Sequence, residues 1–260
     1  MDYLEEYYSK YDEEGRLLSR HGQVEYLTTM KYIHAYLQGD KEKRILEVGA
    51  GTGRYSVALA EEGYSVDAVE LTEHNLKILR GKLKGTEKIR AVQGNALDLS
   101  RYENNTFDMT LVLGPMYHLY EEKEQKQALK EAVRVTKTGG YILTAYIMNE
   151  MVVIRDTFWK GTLEEYLNRG ILTEDFHFIS KPEEIFATVR VEDILALTGD
   201  LPVVREKLVA SDGAATYRSD YIDGLDDKMF SYWMKFHFAT CERQDLIGAS
   251  NHSLDILRKV

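Results

Sequence analysis

The chain has little cysteine, little proline and no long hydrophobic run. Its 260 residues include one cysteine, Cys241, and three prolines. A single thiol excludes an intramolecular disulfide framework and a zinc site built on several cysteines. The longest strongly apolar stretch, 141–148, is too short to span a bilayer. The acidic, aromatic start of the chain lacks the basic and then apolar layout of a signal peptide. We therefore expect a cytoplasmic protein with no membrane partner.

Basic charge is also scarce. Lys and Arg number 33 against 43 Asp and Glu, so the formal net charge is −10. This balance argues against duplex nucleic acid as the main partner, because such proteins carry a basic face that displaces counterions from phosphates. Hydrophobic residues make up 44% of the chain, which is enough for a real core. No repeat or Gly/Ser-rich linker divides it, so we expect one domain over 1–260.

Strand-like and helix-like segments alternate through most of the chain. We predict strands at 44–48, 64–69, 88–92, 106–113, 141–148, 203–211 and 254–257. We predict helices at 54–62, 72–84, 121–136, 191–198 and 226–241. This alternation with short loops is typical of right-handed βαβ crossovers. The fold class is therefore α/β, with a mostly parallel sheet sandwiched by helices.

Two segments depart from that rhythm. Residues 1–40 have helical spacing and form a predicted N-terminal cap, in which Gly15 and Gly22 are expected to break the helix. Residues 150–190 are rich in aromatic side chains, which could form an apolar pocket wall or pack against one another within the segment, and residues 191–260 complete the sheet. The aromatic side chains expected in that wall are Phe158, Trp159, Tyr166, Phe176 and Phe178. On the late helix, Trp233 and His237 share one face, and we expect core packing there.

The most informative segment is a glycine loop between the first strand and the first core helix, Glu47-Val48-Gly49-Ala50-Gly51-Thr52-Gly53-Arg54. Glycines allow a sharp turn and a close ligand approach. The segment does not fit the dinucleotide pattern G-x-G-x-x-G/A. If the pattern starts at Gly49 its last position falls on Arg54, and if it starts at Gly51 that position falls on Ser56. A phosphate-binding P-loop is excluded because no Lys-Ser/Thr follows. The pattern is E-x-G-x-G-x-G, with the acidic Glu70 at the end of the next strand.

With these motifs the sequence resembles the class I S-adenosylmethionine-dependent methyltransferases. ILEVGAGTGRYS is similar to their first motif, VDAVEL to their second, and QGNALDL to their adenine-binding segment. The resemblance is strong over 43–148 and weak at the ends. Insertions after the fifth strand build the substrate lid in that family, so the resemblance implies a substrate lid at 150–190. It implies a Rossmann-like, seven-stranded sheet whose last strand, near 254–257, is antiparallel.

The resemblance also implies how S-adenosyl-L-methionine binds. Glu47 would help to hold the ammonium group, Glu70 the two ribose hydroxyls, and Asn95 with Ala96 the adenine. Many relatives have Asp at the position of Asn95, and an amide oxygen can accept the same hydrogen bond. The full predicted cofactor set is Glu47, Gly49, Ala50, Gly51, Gly53, Glu70, Leu71, Asn95, Ala96 and Leu113.

The loop after the fourth strand is the expected floor of the acceptor site, since ligands bind at the carboxyl ends of parallel strands. Adenine and glutamine amino-methyltransferases carry [N/D]-P-P-[F/Y/W] there, whereas this chain has Gly114 in the place of the amine-holding residue. G-P-M-Y-H-L is instead similar to a bacterial branch of small-molecule-type enzymes. His118 is the predicted base, and Tyr117 could orient the acceptor.

The N-terminal cap supplies further candidates. His21 and Glu25 are four residues apart and could form a pair facing the donor methyl, or a surface contact. In many relatives an N-terminal helix covers the cofactor. Tyr8, Tyr11 and Arg16 could contact the methionine moiety in that way, although simple packing is the more common role of a tyrosine stripe. No close histidine spacing predicts a metal site, so none is expected.

The sequence thus predicts methyl transfer from S-adenosylmethionine to a small molecule, without naming the acceptor or the methylated atom. Two alternatives remain. An enzyme acting on RNA or protein would need a basic or extended groove, and a non-catalytic binding protein would bind the cofactor without turnover. The oligomeric state stays open.

Overall fold

The computed structural model describes residues 2–11 and 13–260. Within the predicted 1–40 cap, Met1 and Asp12 therefore lie outside the described residues. The α-helices α1 to α11 span, in order, Asp2–Lys10, Glu13–Arg16, Arg20–Leu37, Arg54–Glu61, Glu73–Lys82, Glu122–Val135, Asn149–Val153, Leu163–Asn168, Val191–Thr198, Ser219–Asp223 and Asp227–Thr240. The strands β1 to β7 span Arg44–Val48, Ser65–Glu70, Ile89–Gln93, Phe107–Val112, Thr136–Ile147, Val203–Ala210 and His252–Lys259.

The strands form one seven-stranded sheet in the order β3-β2-β1-β4-β5-β7-β6. Neighbours from β3 through β5 pair in parallel, and β7 runs antiparallel to both β5 and β6. This confirms the predicted Rossmann-like sheet with an antiparallel last strand. Because β7 is reversed, its first residue lies at the edge where the other strands end.

The sheet is buried on both faces. Adjacent residues of one strand point to opposite sides, so Ile45 packs with α3 and α4 in one apolar cluster, whereas Leu46 belongs to the cluster that contains α6 and α9. The same alternation holds for Ile142 and Leu143 in β5. Burial on both faces explains why these strands read as nearly continuous hydrophobic runs.

The largest difference from the predicted boundaries is at the start of β5. Helix α6 ends at Val135, one residue before its predicted end, because Thr136 is extended (ψ 139°) and its Oγ1 donates to the Ala132 carbonyl at 2.7 Å. Strand β5 begins at Thr136 rather than at Tyr141, and the glycine pair lies inside it. The N-terminal cap is interrupted at 17–19, since Gly15 lies within α2 and Gly22 within α3. A Cβ on Gly22 would lie 2.2 Å from the Arg16 carbonyl oxygen, so glycine leaves room for that carbonyl.

The segment 150–190 contains α7, one π-helical turn at Ile154–Phe158, α8 and a 3-10 turn at Pro182–Glu184. Asn149, fully buried, fastens this segment to the sheet edge. Its Nδ2 donates to the Phe176 carbonyl at 2.8 Å, and its Oδ1 accepts from the Phe178 amide at 2.9 Å. These bonds bring the predicted lid back over the carboxyl ends of the strands.

Candidate functional site

A cavity of about 850 Å³ opens at the carboxyl ends of the parallel strands. This volume is in the range of small-molecule and cofactor sites, about 300–1,000 Å³. The cavity runs from the ends of β2 and β3, past the glycine loop and the loop after β4, to the start of β7. Helix α1 and the segment 150–190 contribute to its walls.

The glycine loop has the backbone that its sequence predicts. Gly49, Gly51 and Gly53 have φ values of +72°, +54° and +84°, a region that disfavours other residues. The Gly49 and Ala50 amides both donate to the Val69 carbonyl at the end of β2, at 2.8 and 3.0 Å. A Cβ on Gly49 would lie 2.5 Å from Pro115 Cδ. The loop after β4 therefore packs directly on the glycine loop.

Glu70 ends β2 and is 5% exposed. Its Oε2 accepts from the Gly51 amide at 2.8 Å, and its Oε1 accepts from the Thr72 amide and hydroxyl at 2.9 and 2.8 Å. A carboxylate offers about four acceptor positions. Glu70 can therefore accept one more hydroxyl as it stands, and a second only if one of these bonds lengthens. Thr72 is the N-cap residue of α5, but its hydroxyl binds Glu70 instead of an amide of the helix.

Glu47 lies in β1 beneath the glycine loop and is 2% exposed. Ser56 at the start of α4 donates a short hydrogen bond to its Oε2. Burial raises the pKa of Glu47 to about 8, against the opposing effect of the Ser56 hydrogen bonds. Without a cationic partner this carboxyl group is mostly protonated at pH 7.

The residues predicted to bind adenine line the far end of the cavity. Asn95 is exposed, Ala96 is buried, and both contact the cavity with Leu71 and Leu113. The Asn95 Oδ1 accepts from the Leu97 amide at 3.0 Å, which fixes the side chain in an Asx turn. The whole predicted cofactor set except Gly53 lines the cavity. Gly53 instead packs against α5, where its Cβ would lie 2.6 Å from Leu79 Cγ.

The loop after β4 holds Tyr117 and His118 on the other side of the cavity. His118 Nδ1 lies 2.9 Å from the Ile185 carbonyl, so this nitrogen carries the hydrogen, and Nε2 accepts from the Tyr8 hydroxyl at 2.9 Å. Burial lowers the pKa of His118 to about 4. In this arrangement both nitrogens of the predicted base are engaged, and the residue ties α1 to the loop.

The predicted pair of His21 and Glu25 does not form. His21 Nδ1 lies 2.8 Å from Asp223 Oδ2 of α10, at the outer side of the cavity. Glu25 instead accepts two hydrogen bonds from Arg16, at 2.7 and 3.3 Å. The physical reason is that Asp223 of α10 and Arg16 of α2 come within hydrogen-bond distance of His21 and Glu25 and offer charged partners to each.

Glu25 belongs to a buried charge cluster that the sequence analysis missed. We call Arg16, Glu25, Asp212 and His252 the acceptor-side cluster. His252 Nδ1 lies 2.9 Å from Asp212 Oδ2 and 3.3 Å from Glu25 Oε2. The side chains of His252, Glu25 and Asp212 are 12%, 9% and 4% exposed. All four residues line the cavity.

Asp212 is held rigidly at the centre of this cluster. Its Oδ1 accepts from the Ser250 hydroxyl and from the amides of Asn251 and His252, and its Oδ2 accepts from Thr216. Burial alone would raise the pKa of Asp212, but His252 and these donors lower it to about 2. Burial would likewise lower the pKa of His252, but the Glu25 and Asp212 carboxylates raise it above 6.5.

Glu25, Asp212 and His252 each offer one possible metal-ligand atom, and these three atoms lie within 4.8 Å of one another. The geometry of the described residues does not favour this role. Arg16 already neutralises Glu25, and donors from protein groups occupy both oxygens of Asp212. The cluster therefore fits a charge-balanced proton site better than a metal site.

The predicted aromatic wall is partly wrong. Tyr166 and Phe178 line the cavity, whereas Phe158, Trp159 and Phe176 are 55%, 53% and 42% exposed. Phe158 ends the π-helical turn and Trp159 follows it, whereas Phe176 lies in a bend with a φ of +62°. On α11, His237 is buried as expected and Trp233 is half-buried. Among the described residues no helix is long and apolar enough to cross a membrane.

Comparison with known proteins agrees with this geometry. A profile described as a methyltransferase domain matches residues 45–140, and the seven-stranded sheet has the strand order described above. The chain is thus similar to the S-adenosylmethionine-dependent methyltransferases in its methyltransferase domain, 45–140, and in its fold.

Individual relatives cover only part of the chain. Residues of this chain are 33% identical over 141 positions to demethylmenaquinone methyltransferase of Clavibacter sepedonicus, covering 54% of each protein. Glycine/sarcosine N-methyltransferase of Aphanothece halophytica is 26% identical over 144 positions, covering 55% of this chain and 52% of the relative. The chain thus spans about half the length of the curated relatives it matches.

Solved structures extend the likeness of fold over nearly the whole chain. A SAM-dependent methyltransferase from Thermotoga maritima superposes with a TM-score of 0.63 at 19% identity, covering 100% of this chain and 99% of that chain. Magnesium protoporphyrin IX methyltransferase from Synechocystis, with bound SAH, gives 0.55 at 13% identity, covering 91% and 84%.

Proposed function

We propose that this protein transfers a methyl group from S-adenosyl-L-methionine to a nucleophilic O, N or other atom of a small molecule by direct displacement. The observation that carries the proposal is the single cavity in which the glycine loop and Glu70 face one end and the acceptor-side cluster the other. Such a cavity can hold a donor and an acceptor side by side, as an in-line reaction requires.

The residues present fit this cofactor. Only glycine tolerates the φ of +72° at Gly49 together with the close approach of Pro115. Glu47 is a buried carboxyl group that accepts a hydrogen bond from the Ser56 hydroxyl and has no basic partner among the described residues, which suits an ammonium group. Glu70 keeps one acceptor position for a ribose hydroxyl, and Asn95 and Ala96 would meet the adenine. When bound, the cofactor supplies a methyl group activated by its positive sulfur.

The chain's own residues would then align the acceptor and exclude water. Helix α1 covers the cavity through the Tyr8 hydrogen bond to His118, and Tyr7 packs edge-on against Phe186 at 5.5 Å between ring centroids. Water excluded in this way cannot compete with the acceptor for the methyl group. We propose that His118 and Tyr117 position the lid and the acceptor; His21, which faces Asp223, is the least suited of the three predicted catalytic residues.

The alternatives differ in the shape of site that they need. An RNA or protein methyltransferase needs an open groove, and this cavity is covered by α1 and the segment 150–190. The curated relatives named above act, by their names, on demethylmenaquinone and on glycine or sarcosine, which favours a small acceptor. A non-catalytic binding protein would not need the buried charges of the acceptor-side cluster.

The test is formation of S-adenosylhomocysteine from S-adenosylmethionine in the presence of a panel of small acceptors. We expect acceptor-dependent product with the wild type, loss of product in Glu70→Ala, and no loss in Glu73→Ala. Glu73 is an exposed carboxylate three residues away and serves as the matched control. Cofactor binding without product from any acceptor would favour the non-catalytic alternative.

A further inference from the structure

We propose that the acceptor is a cationic amine, attracted by the net negative charge of the acceptor-side cluster, and that His252 takes the proton from its nitrogen before methyl transfer. Asp212 acts as a positioning residue through His252. This inference rests on the proposed methyl transfer and names the acceptor class for the same site. It is carried by the arrangement of the acceptor-side cluster.

The topology places this cluster beside the reacting end of the cavity. β7 is antiparallel, so His252 at its start pairs with Ile147 at the end of β5. Asp212 follows the end of β6, whose Ala210 pairs with Ser253. Both residues therefore lie at the edge where β4 ends, next to Tyr117, whose ring centroid is 5.7 Å from that of His252. The ribose and adenine positions lie at the other end, beyond β1.

Hydrogen bonds fix the orientation of His252. Its Nδ1 lies 2.9 and 3.3 Å from two carboxylates, and Asn251 Nδ2 lies 3.0 Å from Nδ1 and 3.4 Å from Nε2. Because carboxylates only accept, Nδ1 of the neutral imidazole carries the hydrogen. The lone pair then resides on Nε2, the nitrogen that can accept a proton. Asp212 cannot turn away, because Ser250 and two backbone amides hold its other oxygen. This is the arrangement of a carboxylate that holds a general base in one tautomer.

The charges of the cluster favour a cationic guest. Glu25 and Asp212 carry two negative charges and Arg16 one positive charge, so with neutral His252 the cluster has a net charge of −1. Either a proton on His252 or an ammonium group in the cavity neutralises this remaining negative charge. The groups that face His252 are Glu25 from α3, Arg16 from α2, Asp212 after β6 and Tyr117 from the loop after β4.

A second observation points to a missing ligand. The Tyr117 hydroxyl is buried and has no hydrogen-bond partner among the described residues. Tyr117 faces Glu25, Arg16 and Asp212 closely enough for their charges to act on its pKa, which burial and the Glu25 carboxylate raise. A buried hydroxyl without a partner is unfavourable. An amine bound at the cluster would give it one.

The proton balance is complete without a further reagent. An ammonium acceptor gives one proton to His252 Nε2 and becomes a neutral amine with a free lone pair. The nitrogen lone pair then forms the N–C bond as the S–C bond breaks, and the electron pair of that bond stays on sulfur. The product leaves as a methylated ammonium ion, and His252 releases its proton to solvent.

The first test is the titration of His252 in the wild type saturated with S-adenosylhomocysteine, followed by NMR and assigned with His252→Gln. We expect a pKa above 6.5 that falls by about one unit or more in Asp212→Asn and also in Glu25→Gln. Two variants are used because Asp212 also holds the 250–252 turn. A wild-type pKa at or below 6.5, or a pKa unchanged in both variants, would overturn the proposal.

The second test compares amines with alcohols of the same skeleton, from methylamine and methanol to phenethylamine and 2-phenylethanol, by calorimetry on the same complex. We expect at least one amine to bind ten times more tightly than its alcohol at pH 7, and this preference to fall at least fivefold in Glu25→Gln. Equal or tighter binding of the alcohols, or no binding by any amine, refutes the inference.

The two proposals fail in different ways. If S-adenosylhomocysteine does not bind to the folded wild type, the methyltransferase proposal itself fails. If it binds with the same affinity in the wild type, Asp212→Asn and Glu25→Gln, and the amine preference is absent, only the inference about the acceptor fails.

Discussion

Glu47 offers a prediction that does not depend on knowing the acceptor. Its carboxyl group is buried in β1, and burial raises its pKa from the ordinary 4.5 to about 8. The folded protein therefore binds more protons than the unfolded chain between pH 4.5 and 8. By linkage, this group makes the free energy of unfolding decrease as pH rises through that window. Glu47→Gln keeps the size and the acceptor for Ser56 but cannot ionise.

The magnitude follows from the two pKa values. Each pKa unit corresponds to about 1.4 kcal/mol, so between pH 5 and pH 8 Glu47 lowers the wild-type stability by about 3–4 kcal/mol. All other titrating groups are shared by the two proteins and cancel in the comparison. In urea unfolding, we expect Glu47→Gln to differ little from wild type at pH 5 and to be more stable by about this amount at pH 8.

The same variant links stability to binding. An ammonium group beside Glu47 favours the ionised carboxylate, so cofactor binding at pH 7 should release about 0.9 proton from this site. Calorimetry in two buffers of different ionisation enthalpy measures that release, which Glu47→Gln should abolish. A stability difference that is the same at pH 5 and pH 8 would refute the buried, protonated carboxyl group on which this reasoning rests.

Three further predictions concern the glycine loop and the cover of the cavity. Gly49→Ala should lower the free energy of unfolding by about 3 kcal/mol, against about 1 kcal/mol for Gly39→Ala, which shares the positive φ but has nothing within 4 Å; equal losses in urea unfolding would contradict the Pro115 contact. His118, with a pKa of about 4, should stay neutral from pH 5.5 to 8 in an NMR titration, and because its pKa is lowered it reduces stability as pH falls from 6.5 to 4; a titration step near 6.5 would show that it is solvated. Tyr8→Phe, which loses the bond to His118, should accelerate proteolysis of the N-terminal segment about threefold, whereas Tyr3→Phe, at a side chain that is 51% exposed, should not; identical cleavage rates would mean that the bond does not hold α1 in place.

The sequence was sufficient for the sheet because the signals of β1 to β4 are local. Each strand is a short apolar run that ends at a glycine or an acidic residue, and each crossover is short. Glu70 could be placed for the same reason, since it directly follows a buried strand and precedes a helix. The start of β5 was misplaced because Thr136 ends α6 by a side-chain hydrogen bond three residues before the glycines.

The acceptor end could not be read in the same way because its residues come from distant parts of the chain. Glu25 and His252 are separated by more than two hundred positions, and the i to i+4 spacing of His21 and Glu25 suggested the wrong partner. One signal was available. An antiparallel last strand brings its first residue to the carboxyl edge, so Asp212 after β6 and His252 at the start of β7 could have been expected to meet there.

The most direct test of the central claim is calorimetric titration of the wild type, Glu70→Ala and Glu73→Ala with S-adenosylmethionine and S-adenosylhomocysteine. We expect both ligands to bind the wild type and Glu73→Ala at micromolar concentration, and the affinity of Glu70→Ala to fall more than tenfold, because a buried carboxylate that orders the glycine loop and meets the ribose is lost. Absence of binding to folded wild type, or equal affinities in the two variants, would contradict the assignment of this cavity to the cofactor.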